Sequence, residues 1–135
     1  MTAPRYMLDT NIVSDLIRNP AGKVTARLRD IGGSAAAVSI ITAAELRFGA
    51  AISGSSRLQS RVAALLDTLN VLPFDVPADA EYAHIRAQLK ALGQPIGPND
   101  LLIAAHPRCV GATIVTANVT EFGRVPGLKV ENWLT

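Results

Sequence analysis

The feature that most constrains the fold of this chain is a regular alternation of short apolar segments with longer amphipathic ones. Apolar segments predict strands at 5–8, 35–40, 71–74, 112–116 and 128–131. Apolar residues spaced three to four apart predict helices at 10–18, 20–30, 42–53, 57–70, 77–92 and 99–110. Strands that alternate with helices form a mainly parallel sheet with helices on both faces, which is a three-layer α/β fold. The length of 135 residues predicts one domain spanning 1–135.

The composition points to a chain that covers part of its surface with a partner. Charged residues make up 18% of the chain, against about 25% in a typical soluble domain. The mean hydropathy is +0.26, which excludes a disordered chain and favours association with another protein or with a second copy. The net charge of +2 permits contact with a polyanion but does not indicate a dense basic stripe.

Several classes of protein are disfavoured by what the sequence lacks. No apolar run reaches the length of a membrane span and the start does not resemble a signal peptide, so we expect no membrane segment and a cytoplasmic location. The single cysteine, Cys109, and the two histidines, His84 and His106, do not have the spacing of zinc ligands. We expect Cys109 to be buried as a small apolar residue, and both histidines to be packed or on the surface.

Three acidic residues lie where the predicted strands should end. Asp9 follows the first strand, Glu45 follows the second, and Asp100 opens the helix before the fourth. The carboxyl ends of parallel strands share one edge of the sheet, where ligands commonly bind. Each acid is also compatible with helix capping, and Thr42-x-x-Glu45 matches a capping box. If the three converge, their mutual repulsion favours a divalent cation, and oxygen ligands select Mg²⁺ or Mn²⁺ and hence phosphate chemistry.

Four ordered segments resemble the PIN-domain ribonucleases of the VapC toxin family. They are MLDTNIVSDLI at 7–17, SIITAAELRFGA at 39–50, PIGPNDLLIAAH at 95–106 and TIVTANVTEFGRVPGLKVENW at 113–133. The resemblance implies the toxin of a type II toxin–antitoxin pair, inhibited by a VapB-type antitoxin. It also implies an endoribonuclease that cleaves RNA with Mg²⁺, which activates the attacking water. Asp9, Glu45 and Asp100 match the first three acidic positions of the family, whose first strand is central in the sheet.

The sequence departs from the family pattern at the fourth acidic position. Thr116-Ala117-Asn118 stands where PIN domains commonly have Thr-x-Asp, and Glu121 follows three residues later. We expect Glu121 to stay clear of the other acids, so that Asn118 leaves this position uncharged. The alternative is a helical turn over 118–121 that brings Glu121 to the same face as Asn118. A second departure, Pro107 inside the last long helix, predicts a kink near His106.

Other residues are assigned supporting roles on weaker grounds. Thr10, Asn11 and Thr116 are polar neighbours of the acids. Arg47 and Arg124 are adjacent to the acidic motifs and are candidate RNA contacts. The few large rings, Phe48, Tyr82 and Trp133, should pack in the core or in an interface. The helical hairpin at 42–70 is expected to form a homodimer face, to adjoin an antitoxin groove and to contribute to larger toxin–antitoxin assemblies.

Two other functions are consistent with parts of the pattern. A PIN fold weakened by Asn118 would bind RNA or antitoxin without efficient cleavage. A phosphoacceptor receiver domain also clusters acids at strand ends, and Asp75 could serve as its acceptor. That class needs a lysine near its fifth strand, and Lys129 lies after Pro126-Gly127, which disfavours it.

Overall fold

Five strands form one parallel sheet in the computed structural model, which describes residues 3–135. The strands are β1 Tyr6–Leu8, β2 Ala36–Ser39, β3 Asn70–Leu72, β4 Thr113–Val115 and β5 Val130–Glu131, in the order β3-β2-β1-β4-β5. The helices are α1 Thr10–Arg18, α2 Lys23–Ile31, α3 Ile40–Ser53, α4 Ser56–Thr68, α5 Ala78–Ala91, α6 Pro98–Val110 and α7 Val119–Phe122. The predicted parallel α/β fold and the central position of β1 are confirmed.

Strand β1 is buried on both faces, which explains why it is apolar without alternation. Met7 pairs with Ala37 of β2 and with Ile114 of β4. The Asp9 amide continues this ladder beyond the strand by donating to the Val115 carbonyl at 2.9 Å. Asp9 is therefore held by backbone hydrogen bonding at the carboxyl edge of the sheet.

The two faces of the sheet have separate apolar cores. One core joins the sheet to α1–α4 and includes Ile12, Val13, Val38, Leu66 and Trp133. The other joins it to α5–α7 and includes Ile85, Leu89, Ile103, Ile114 and Phe122. Because α1 and α3 pack on one face and α6 on the other, their amino-terminal ends meet at the carboxyl edge.

Helix α3 begins two residues before its predicted start, which changes the interpretation of Glu45. Ser39 is the N-cap, and its hydroxyl accepts a hydrogen bond from the Ile41 amide at 3.1 Å. Thr42 is buried, and its Oγ1 has no partner within residues 3–135. Glu45 lies in the second turn, so the capping-box interpretation is wrong. The cap comes from Ser39, the last residue of β2, whereas the sequence predicts a strand that continues to residue 40.

Smaller differences concern the aromatic residues and the proline helix. Tyr82 packs against a core and Trp133 is buried, but Phe48 is 65% exposed, so its predicted packing does not occur within one chain. Helix α6 runs through Pro107 to Val110, as predicted for 99–110, and the kink near His106 stays a prediction. Within residues 3–135, the helices are all too short or too polar to span a membrane.

A buried histidine predicts a pH-dependent stability. His106 is 3% exposed, and its Nδ1 lies 2.8 Å from Ser39 Oγ, which already accepts from Ile41. Burial lowers the pKa of His106 below its usual 6.5. The unfolded chain thus takes up this proton first as the pH falls below 6.5, which destabilises the folded state.

We expect the thermal midpoint of the wild type to fall between pH 7 and pH 5 more than that of His106→Gln, which cannot titrate there. Circular dichroism melts of both proteins measure the difference. Parallel pH profiles would contradict this assignment.

Candidate active site

Asp9 is the most buried of the acidic residues at the carboxyl edge, with 4% of its surface exposed. Its Oδ1 accepts from the Thr10 amide at 2.7 Å. Its Oδ2 accepts from Thr116 Oγ1 at 2.8 Å and from Asn11 Nδ2 at 3.1 Å. Burial raises the pKa of Asp9, whereas these hydrogen bonds favour its charged form. The three predicted supporting residues therefore do contact or orient an acidic side chain.

Glu45 lies beside Asp9 because Thr10 connects the two. The Thr10 hydroxyl donates to Glu45 Oε1 at 2.6 Å, while the Thr10 amide binds Asp9. Asn99 donates through Nδ2 to Glu45 Oε2 at 3.2 Å. The negative charge of Glu45 adds to the effect of burial in raising the pKa of Asp9. Asn99 was not identified from the sequence, although its position next to Asp100 was the available signal.

Asp100 is in the first turn of α6 and lies next to Glu121. Burial, followed by a hydrogen bond and repulsion from Glu121, raises the pKa of Asp100 to about 7. The charges of Asp9 and Glu45 act in the same direction. The four carboxyl groups therefore form one electrostatic cluster, and their repulsion provides an attractive site for a cation.

The expectation that Glu121 stays clear of the acids is wrong. Residues 119–122 form the helical turn α7, and Asn118 Nδ2 donates to Glu121 Oε2 at 2.5 Å. The Gly97 amide donates to Glu121 Oε1 at 3.1 Å. Although partial burial opposes ionisation, these bonds lower the pKa of Glu121. A Cβ at Gly97 would lie 3.8 Å from Asp100 Oδ2 and 4.0 Å from Glu121 Oε1, so this backbone runs directly past both acids.

Asn118 orients its neighbours. The backbone amide of Asn118 donates to Thr116 Oγ1 at 3.0 Å, and the backbone amide of Ala117 donates to Asn11 Oδ1 at 3.0 Å. These bonds hold the turn after β4 against the start of α1. Asn118 therefore supports both the Asp9 side and the Glu121 side of the cluster.

The two candidate RNA-binding arginines have different surroundings. Arg47 is exposed on α3, with no ion pair or side-chain hydrogen bond in the described part of the chain. Arg124 donates through Nη1 to the Pro95 carbonyl at 3.1 Å, and its charge helps to lower the pKa of Glu121. Arg124 thus has a structural contact as well, and the RNA role of both stays a prediction.

The donor chemistry of the cluster fits a hard divalent cation. Asp9, Glu45, Asp100 and Glu121 supply only carboxylate oxygens, and Asn118 adds an amide oxygen. In residues 3–135 no three His, Cys, Asp or Glu side chains are arranged so that they could hold a metal ion. Hydrogen bonds from Thr10, Asn99 and Gly97 orient the carboxylates in this structure. Ligation therefore requires side-chain rotation, which is most accessible for the half-buried Glu45, Asp100 and Glu121.

Comparison with known proteins identifies similar chains over nearly the full length. The PIN domain family model matches residues 6–128. The tRNA(fMet)-specific endonuclease VapC of Salmonella typhimurium is 36% identical over 130 residues, covering 96% of this chain and 98% of that protein. Ribonuclease VapC2 of Haemophilus influenzae is 38% identical over 131 residues, with the same coverage of 96% and 98%.

Solved structures of toxin–antitoxin complexes contain chains of the same fold. A chain in DNA-bound VapBC from Salmonella typhimurium superposes with a TM-score of 0.88 at 35% identity, covering 96% of this chain and 98% of that chain. A chain in VapBC2 from Rickettsia felis, bound to a DNA fragment from its promoter, has a TM-score of 0.85 at 36% identity, covering 95% and 98%.

Proposed function

Because this chain belongs to the PIN-domain family, we propose that it is the toxin of a type II toxin–antitoxin pair and acts as a metal-dependent endoribonuclease. The observation that carries this proposal is the cluster of Asp9, Glu45, Asp100 and Glu121 at the carboxyl edge of the sheet. The likeness to VapC ribonucleases over 96% of the chain supports RNA as the substrate. Action on cellular RNA would place the protein in the cytoplasm.

We assign the cofactor as Mg²⁺, with Mn²⁺ as a substitute. Asp9, Glu45 and Asp100 would hold it, with Glu121 as the fourth carboxylate. When bound, such an ion lowers the pKa of a water molecule and offsets charge on a phosphodiester. The products would then have a 5′-phosphate and a 3′-hydroxyl.

The hydrogen bonds of the site define what its residues contribute. Burial raises the pKa of Asp9, while Thr116 and Asn11 favour its ionised form and fix its orientation. Thr10 and Asn99 orient Glu45 by donating to its two carboxylate oxygens. Asp100 and Glu121 share a hydrogen bond, so one proton can reside between their carboxyl oxygens when no cation offsets the charge.

A groove beside Glu45 is the proposed site for an antitoxin segment. It has a volume of about 360 Å³ and lies between α1 and the α3–α4 hairpin. Ile17, Leu46 and Val62 provide apolar walls, and Thr10 and Glu45 form one end. The apolar side chains of such a segment would pack against the apolar walls, and a cationic group at its end would lie near Glu45. The bound segment would block access of RNA to the acids.

The exposed face of α3 is the proposed contact with a second copy. Phe48 and Ile52 are one helical turn apart and are 65% and 70% exposed. We expect sedimentation to show a dimer of the antitoxin-free protein at tens of micromolar, a concentration at which micromolar interfaces are mostly occupied. Phe48→Glu should shift the protein to the monomer. A wild type that stays monomeric would contradict the dimer.

The test of the proposed activity is cleavage of total cellular RNA by the purified chain. We expect discrete fragments with Mg²⁺ and none with EDTA, and end-mapping should find 5′-phosphates. RNA that is bound with Mg²⁺ but left uncut would instead favour the non-catalytic RNA-binding or antitoxin-binding module.

A further inference from the structure

The loop at 94–98 has two sides with different chemistry. One side faces the acids, because the Gly97 amide donates to Glu121 and the Pro95 carbonyl accepts from Arg124. On its other side, Pro95, Ile96 and Pro98 line a cleft against α5. Two prolines and these two bonds stiffen the loop. The cleft and the acidic cluster therefore share one rigid wall.

This cleft, which we call the α5–α6 cleft, has a volume of about 440 Å³. Its floor is apolar, and its rim carries two cations. The lining residues are Arg86, Leu89, Lys90, Pro95, Ile96, Pro98 and Leu101. Leu101 directly follows Asp100, so their Cα atoms are about 3.8 Å apart. A ligand in the cleft would therefore be separated from the acidic cluster only by the loop at 94–98 and the first turn of α6.

The charge of the cleft selects its ligand. No acidic residue is among its lining residues in the described chain, and Lys90 has neither an ion pair nor a side-chain hydrogen bond there. Arg86 donates to the Tyr82 hydroxyl at 2.8 Å, which fixes its side chain at the rim. An apolar floor beneath two cations complements a group that is flat and apolar at one end and anionic at the other.

We propose that the α5–α6 cleft is a subsite for one nucleotide of the RNA next to the cleaved bond. The base lies on Ile96 and Leu101, and its phosphate lies toward Lys90 and Arg86. This inference rests on the proposed endoribonuclease function. The cleft is on the opposite face of the sheet from the proposed antitoxin groove, since its walls belong to the α5–α6 side.

The charge of the subsite is tested by the salt dependence of RNA binding. The affinity for a labelled ten-nucleotide RNA is measured by fluorescence anisotropy in the presence of Mg²⁺. The background protein is Asp100→Asn, which should not cleave the RNA. The test protein carries Lys90→Gln in addition. Loss of one phosphate contact to a single strand reduces the slope of log affinity against log salt by about 0.7. The matched control is Lys129→Gln, an exposed lysine just before β5 and so at the opposite edge of the sheet, which should leave the slope unchanged.

The base contact is tested with RNAs in which one nucleotide lacks its base. Ten RNAs are compared, each with the base missing at a different position. We expect the missing base to weaken binding about fivefold or more at one of these positions. Ile96→Trp fills the cleft and should abolish that position dependence, provided that thermal unfolding shows a folded protein.

Equal salt slopes for Lys90→Gln and Lys129→Gln, or no sensitive position in the RNA, would overturn the subsite. Weakened antitoxin binding by Lys90→Gln with unchanged RNA binding would also overturn it and assign the cleft to a protein partner. If the wild-type protein binds RNA but does not cleave it, the proposed enzyme function is wrong. The binding comparisons between variants would still test whether the α5–α6 cleft binds a nucleotide.

Discussion

Replacing Asp9 by asparagine is expected to abolish RNA cleavage and to make expression of the protein harmless, whereas the wild type arrests growth. Asp9 is 4% exposed and is held in one orientation by Thr10, Asn11 and Thr116. Loss of a residue that only supports a metal ligand costs about 10–100-fold in affinity or activity. Loss of the ligand itself should therefore reduce cleavage more than about 100-fold, measured as fragment release at saturating Mg²⁺.

Two measurements separate lost chemistry from lost folding in Asp9→Asn. The amide cannot accept all three hydrogen bonds, which costs about 1–3 kcal/mol, but it also removes repulsion from Glu45. A cooperative thermal transition would show that the variant is folded. Asp67→Asn is the matched control, because Asp67 is exposed near the end of α4 and should stay as toxic as the wild type. Equal toxicity of Asp9→Asn and the wild type would refute the assigned site.

Glu121→Gln is expected to raise the Mg²⁺ concentration needed for half-maximal cleavage by about tenfold. The substitution removes one of the four negative charges and keeps a side chain of the same length. A tenfold change corresponds to about 1.4 kcal/mol of attraction for the cation. Cleavage rates measured across a Mg²⁺ titration give the shift, and saturating Mg²⁺ should restore most of the wild-type rate.

The maximal rate tells whether Glu121 acts on the cation or only on the fold. Its carboxylate also accepts from Gly97 and Asn118, so a purely structural role would lower the rate at every Mg²⁺ concentration. Asp67→Asn again supplies the control, with an unchanged titration curve. A Glu121→Gln curve that coincides with the wild type would show that the fourth carboxylate has no part in metal binding.

Local patterns in the sequence predicted most elements of the fold but not their ends. Apolar segments located all five strands, because a buried strand and an amphipathic helix have different spacings of apolar residues. The start of α3 was misplaced, since Ser39 ends a strand and caps a helix at the same time. The sequence predicts that Phe48 packs in the core or in an interface, and its exposure excludes the core of one chain, because helix periodicity does not say which of the two an apolar face meets.

The sequence by itself determined that three acids would meet, because Asp9, Glu45 and Asp100 are tied to the carboxyl ends of parallel strands and to adjacent helix starts. Only the tertiary structure decided which side chains complete the cluster. Glu121 binds the Gly97 amide across 24 residues, and Asn99 binds Glu45 across 54. Such bonds depend on how closely α6 approaches α3 and α7, which is set by core packing on both faces of the sheet. Hydrophobic periodicity carries no information about that distance, so the sequence names Glu121 only as an alternative fourth carboxylate and does not predict the residues that support it.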